Sequence, residues 1–133
     1  MKKTNKYTII EIPLIIYPVH MIVMMNTDYS EIKQHLISNK VSISPQFEKA
    51  IRGWLDAPNT KGYCCAYGYK ENPDVLILLK SRPKKASEYG ILYHEIYHAT
   101  DRLSRSLGLI GFETKAYLFQ YLITECNRVL WKQ

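Results

Sequence analysis

Apolar runs and polar breaks divide the chain into eight segments. Thr8 to Ile16 and Val19 to Met25 are rich in Ile, Val, Met and Tyr, and predict two strands joined near Tyr17-Pro18. Asn26-Thr27-Asp28 offers a helix start, with Asp28 and Glu31 at capping-box spacing and Ile32, Leu36 and Ile37 as its expected buried face. Ser44-Pro45 starts a second short helix, since proline at the first helical position loses no useful N–H; it should run to about Leu55 and stop before Pro58. Gly62 to Tyr69 and Val75 to Lys80 read as strands, with Glu71-Asn72-Pro73-Asp74 as the turn between them.

A long helix is expected from about Ala86 to Leu107. At about 100° per residue, Leu92, Ile96, Ala99, Leu103 and Leu107 fall on one apolar stripe. Gly108 and Gly111 break it, and a last helix starts near Phe112 and runs almost to the C-terminus. On that helix Ala116, Phe119, Ile123 and Leu130 suggest the apolar face, while Glu113, Tyr117, Gln120, Thr124 and Asn127 share a polar arc. The sum is an α+β fold over residues 1–133 as a single domain: a small antiparallel or mixed sheet, two minor helices and two long C-terminal helices.

Composition narrows the class. Apolar residues make up 47% and charged residues 23%, as in a globular chain that can hold a real core without staples. The formal net charge is +6, which favours an acidic partner and leaves nucleic acid open, although the cations are spread along the chain. The apolar stretch from Tyr7 to Met25 follows a basic start, but Glu11, Pro13, Pro18 and His20 interrupt it; it reads as core strands, neither signal peptide nor membrane span. Cys64, Cys65 and Cys126 form no C-x-x-C pair, and the adjacent Cys64 and Cys65 should point to opposite faces of their strand. A reducing, cytoplasmic compartment is expected.

The chemistry concentrates in His94-Glu95-Ile96-Tyr97-His98. Histidines four apart on a helix share a face, so both imidazoles can reach one metal ion, and zinc accepts neutral imidazole nitrogen. Glu95 lies about 100° round from His94 and about 60° from His98, which suits a general base better than a ligand. The histidines and Asp101 lie opposite the apolar stripe, so they are not expected in the core. A zinc site needs a third protein ligand, and Glu113, just past the glycine turn, is the candidate; Asp101 is the rival, better placed as an acid supporting the site. Val75 to Lys80 is the expected edge strand for pairing with an extended peptide. Among the eleven tyrosines, most should be packing residues with a wet hydroxyl, and Tyr117 is the candidate to polarise a substrate carbonyl. His20 and His35 are isolated, and Cys126 reads as a small core residue.

His94-Glu95-x-x-His98 with Glu113-x-x-Ala116 downstream resembles the zincin metallopeptidases, in the gluzincin arrangement of two His and one Glu. The run from Tyr93 to Asp101 and on to Tyr117 is similar to small zincin-like proteins of phages and bacterial mobile elements, and the resemblance spans about Val75 to Ile123. Metzincins fit less well: Asp101 stands where their glycine would be and Ser104 where their third ligand would be. The resemblance implies Zn2+ on His94, His98 and Glu113, Glu95 as the base that activates water, and hydrolysis of an amide bond in a protein or peptide substrate. A chain this short has no second lobe to wall a cleft. The alternative is a non-catalytic interaction protein of the same fold binding a protein or nucleic-acid partner; a metal-independent structural domain is the third reading. No membrane partner is expected.

Overall fold

The computed structural model describes residues 7–14, 19–68 and 73–132. The Tyr17-Pro18 joint and Tyr69, Glu71 and Asn72 lie outside the described residues. The elements are β1 (Thr8–Pro13), β2 (His20–Met25), α1 (Tyr29–Ser38), α2 (Pro45–Asp56), β3 (Gly62–Gly68), β4 (Pro73–Leu79), α3 (Ala86–Leu107) and α4 (Phe112–Leu130). The class is the expected α+β, and the sheet is mixed, in the order β1-β2-β4-β3. β1 and β2 are antiparallel, β2 and β4 are parallel, and β3 and β4 are antiparallel.

This order corrects one expectation. The strand around Val75 to Lys80 is no edge: β4 is hydrogen-bonded on both sides, and β3 is the edge on that flank. The reason is visible in Val75-Leu76-Ile77-Leu78-Leu79, an unbroken apolar run that only a strand covered on both faces can bury. Met21 to Met25 repeats the pattern beside it. Odd-numbered residues of β2 and β4 pack with Leu92, Ile96, Ala99 and Leu103 of α3 and Leu122, Cys126 and Leu130 of α4. Even-numbered residues, Ile22, Met24, Leu76 and Leu78, pack with Ile32 and Leu36 of α1 and Ile51 and Trp54 of α2. The sheet is thus the middle of three layers. As expected, Cys64 and Cys65 go to opposite faces.

Local signals set the helix ends. Asp28 and Glu31 form the reciprocal capping box, each contact at 2.8 Å. Ser44 caps α2 through Phe47 N–H. The Glu88 carboxylate accepts from the Lys84 and Lys85 amides at the start of α3. Gly108 takes the left-handed conformation (φ 69°) that ends α3, and Leu109 N–H closes back on Ser104 O. Two side-chain expectations change. Ile37 is exposed, so α1 buries only Ile32 and Leu36. On α4 the buried line is Leu122, Cys126 and Leu130, with Leu118 against the core, while Ala116 is exposed. Phe119 and Ile123 sit at the margin, half-buried.

Cutting back a side chain under the sheet should cost far more than cutting one on α1's outer face. Ile96→Ala is expected to lower unfolding free energy by about 2–5 kcal/mol, and Ile37→Ala by less than about 0.5 kcal/mol, in urea denaturation. Similar losses for the two would refute this assignment of faces.

Candidate metal centre

α3 seats its apolar stripe on β4 and β2, which turns the opposite face outward. His94 and His98 are exposed there, as the stripe required. Their Nε2 atoms lie 3.1 Å apart, with the rings nearly perpendicular at 87°. Two ring nitrogens at this distance either share one proton or share one cation. Zinc–nitrogen bonds of about 2.0–2.1 Å at a tetrahedral angle would hold the two nitrogens about 3.3 Å apart. The pair therefore already has the spacing of two ligands on one ion.

Glu95 has a different setting. It points to the flank of α3 that meets β3, and is buried at 8% exposure. Gly62, the first residue of β3, lies directly over it. A Cβ at that glycine would stand 2.8 Å from Glu95 Oε2 and 2.9 Å from its Cγ, closer than real contacts allow. Burial pushes the Glu95 carboxyl above its usual value, and the adjacent histidines pull it partly back. Cys64, two residues along β3, also faces this flank; burial pushes its thiol up to about 12, against the opposing pull of Arg102. One turn before Glu95, Lys61, Leu79, Glu88 and Ile91 help line a cavity of about 360 Å³.

The other flank of the histidines is α4. Tyr93 hydroxyl donates to Asn127 Oδ1 at 3.0 Å, Tyr97 packs edge-on against Phe119, and Asp101 pairs with Lys115 at 2.9 Å. Asp101 also takes the Arg105 guanidinium, and these two cations, Lys115 first, hold its carboxyl below the usual range. Asp101 is thus committed to tying α3 to α4. Tyr97 stands beside His98, with its ring under Lys115 Nζ at 4.9 Å.

Glu113 is exposed on the first turn of α4. Lys115 and Leu122 mark the arc that meets α3 and the core, and Glu113 is about 160–180° away from them around the helix. Tyr117 shares that outward arc, at 66% exposure. The polar arc expected to turn towards the histidines therefore faces solvent, with only Asn127 at its far end reaching α3. Among the described residues, no set of three or more His, Cys, Asp or Glu side chains is gathered so as to hold a metal ion. The structure brings His94 and His98 together, sets Glu95 beside them on the β3 flank, and leaves Glu113 on the outward arc of α4.

Gly62 and Arg102 are the residues that sequence reasoning passed over. Nothing in Thr60-Lys61-Gly62 distinguishes a glycine under a carboxylate from one that starts a strand. The remaining histidines play no part here: His35 pairs with Glu11 at 2.8 Å, and His20 lies near Asp74. No family model matches this chain, and no curated protein or solved structure matches it.

The close approach at Gly62 yields a test that needs no ligand. Gly62→Ala should cost about 1–3 kcal/mol by overpacking against Glu95, and the cost should fall below about 0.5 kcal/mol in a Glu95→Ala background. Equal costs in both backgrounds, read from thermal or urea unfolding, would show that Gly62 does not crowd that side chain.

Proposed function

We propose that this chain is a zinc-dependent peptidase of the zincin type, acting on amide bonds of a protein or peptide substrate. The observation that carries the reading is the His94–His98 pair, with its Nε2 atoms 3.1 Å apart and the buried carboxylate of Glu95 between them in sequence. His94 and His98 would hold the ion, and Glu113 is the candidate third protein ligand, supported by sequence pattern and not by its place on α4. Bound there, zinc would polarise the scissile carbonyl and acidify a water molecule. Glu95 would take a proton from that water as its oxygen bonds to the carbonyl carbon. It would deliver the proton to the amide nitrogen as the C–N bond breaks. The sheet wall over Glu95 limits its water contacts and holds it in one place. Tyr97, beside His98, is better placed than Tyr117 to meet a substrate at the histidines.

A second reading, a non-catalytic interaction protein with the same fold, draws on the lack of a gathered third ligand among the described residues. On the peptidase reading, Glu95→Gln should bind zinc as the wild type does and lose about 10²–10⁴-fold in hydrolysis, since Gln keeps the shape but accepts no proton. Equal rates for wild type and variant would leave the interaction reading in front. His98→Ala should carry no zinc by elemental analysis.

Glu113→Gln decides the third ligand. A role in the site predicts at least about tenfold weaker zinc binding. An unchanged affinity would leave only the two histidines as protein ligands.

A further inference from the structure

Seven residues after Glu95, Arg102 returns to almost the same line of α3, about 20° away around the helix. Its side chain leans back towards the helix start, as all helical side chains do, and stands against Cys64 of β3. Gly62 lies over Glu95, so β3 and α3 run alongside each other with Gly62 opposite Glu95 and Cys64 opposite Arg102.

Among the described residues, the outer edge of β3 pairs with no strand, and of the outward backbone groups of Gly62 and Cys64 only the Gly62 carbonyl is taken. Lys80 N–H donates to Lys61 O at 3.2 Å, and Tyr63 pairs with Leu78 in the same phase two residues on. Hydrogen-bonded pairs alternate in an antiparallel ladder, so the backbone groups of Gly62 and Cys64 face away from β4. The Gly62 carbonyl accepts from Trp54 Nε1 at 3.1 Å, which confirms that phase.

Arg102 is exposed, and among the described residues it pairs with no carboxylate. Asp101, its neighbour in sequence, is taken by Arg105 and Lys115. The neighbouring Cys64 is a neutral thiol, so the guanidinium keeps its charge and most of its five donors. The chain as a whole is cationic, at +6.

We infer that Arg102 is a specificity residue that binds a substrate carboxylate, so that this site selects an extended peptide with Asp, Glu or a C-terminal carboxylate about two residues along β3 from the bond over Gly62. The two-residue spacing is that of Gly62 to Cys64, roughly 6–7 Å along a strand. A guanidinium grips a carboxylate through two parallel hydrogen bonds, which fixes position as well as charge. The inference rests on the peptidase reading for the place of the cut, whereas the carboxylate preference is measured by binding alone.

The probe is a set of fluorescein-labelled decapeptides in which Asp, Asn, Lys or a free C-terminus is placed at each position in turn. Anisotropy is read with the full chain, zinc-free and zinc-loaded, and cleavage is followed in parallel. At one position Asp should bind about tenfold or more tightly than Asn, the gain expected of a hydrogen-bonded charge pair. Arg102→Gln should abolish that preference, Arg102→Lys should keep part of it, and Arg102→Glu should turn it towards Lys. Because Arg102 is exposed, all three variants should melt as the wild type does. Peptides that bind without preferring an acid, or a preference that survives Arg102→Gln, would overturn the inference while leaving the peptidase reading intact. A wild-type chain that neither binds nor cuts any peptide, with or without zinc, would remove the reading and the inference together. Arg102-dependent binding of oligodeoxythymidylate with no response to acidic peptides would assign the cation to a phosphate backbone instead.

Discussion

The structure depends on how α3 meets the sheet. Leu92, Ile96, Ala99 and Leu103 are fully buried against the odd-numbered residues of β2 and β4. With 3.6 residues per turn, that seating leaves no freedom elsewhere on the helix. His94 and His98 must face outward, Glu95 must turn to the β3 flank, and Tyr93, Tyr97 and Thr100 must turn to the α4 flank. The order β2-β4-β3 then decides what each flank meets. Because β4 is interior, the strand that reaches Glu95 is β3, and it does so at a residue with no side chain.

A buried carboxylate beside two exposed imidazoles has a physical cost. Glu95 has lost much of its hydration, and its carboxyl is pushed upward in consequence. Asp101, one turn and a half along the same helix, is the contrast: two cations hold it ionised and it serves as a strut between α3 and α4. Environment separates the two carboxylates, Glu95 shut away from water and Asp101 held ionised between two cations. The hydrogen bond from Tyr93 to Asn127 and the Tyr97–Phe119 contact complete the hairpin, so α4 walls the histidines on one side.

Much of this was legible from residue order because it rests on local rules. The capping box at Asp28, the proline start at Pro45, the glycine end at Gly108 and the stripe on α3 each follow from neighbours within a few positions. The strand order rests on pairing across more than fifty residues, between β2 and β4, which no local window carries. A clue was present in Val75 to Leu79, whose five consecutive apolar residues suit a central strand better than an edge. The phase of α4 was legible only in part: Leu130 is buried and Phe119 and Ile123 pack at the margin of the core, whereas Ala116 is exposed. Leu118, Leu122 and Cys126 compete with Ala116, Phe119 and Ile123, so apolar residues occupy most of the helix and periodicity picks no single face. Glu113 and Tyr117 lie on the polar arc, whose direction depends on that phase, and both are exposed. Gly62 gave no signal at all, because its role is the absence of an atom next to a residue thirty-three positions away.

A peptidase site here would draw selectivity from along a strand, since among the described residues the histidines are flanked by β3 on one side and α4 on the other. The β3 flank offers that length. It begins at the cavity beside Ile91, passes Gly62 over Glu95 and reaches Cys64 under Arg102. A peptide laid there would gain main-chain hydrogen bonds from the strand edge, which are blind to sequence, and would be told apart only at the ends of the run. A side chain in the cavity and a charge at Arg102 are two such ends, with Glu95 between them. Such a division, uniform binding along the backbone and selection at separated points, would let a single sheet edge impose register on a flexible substrate.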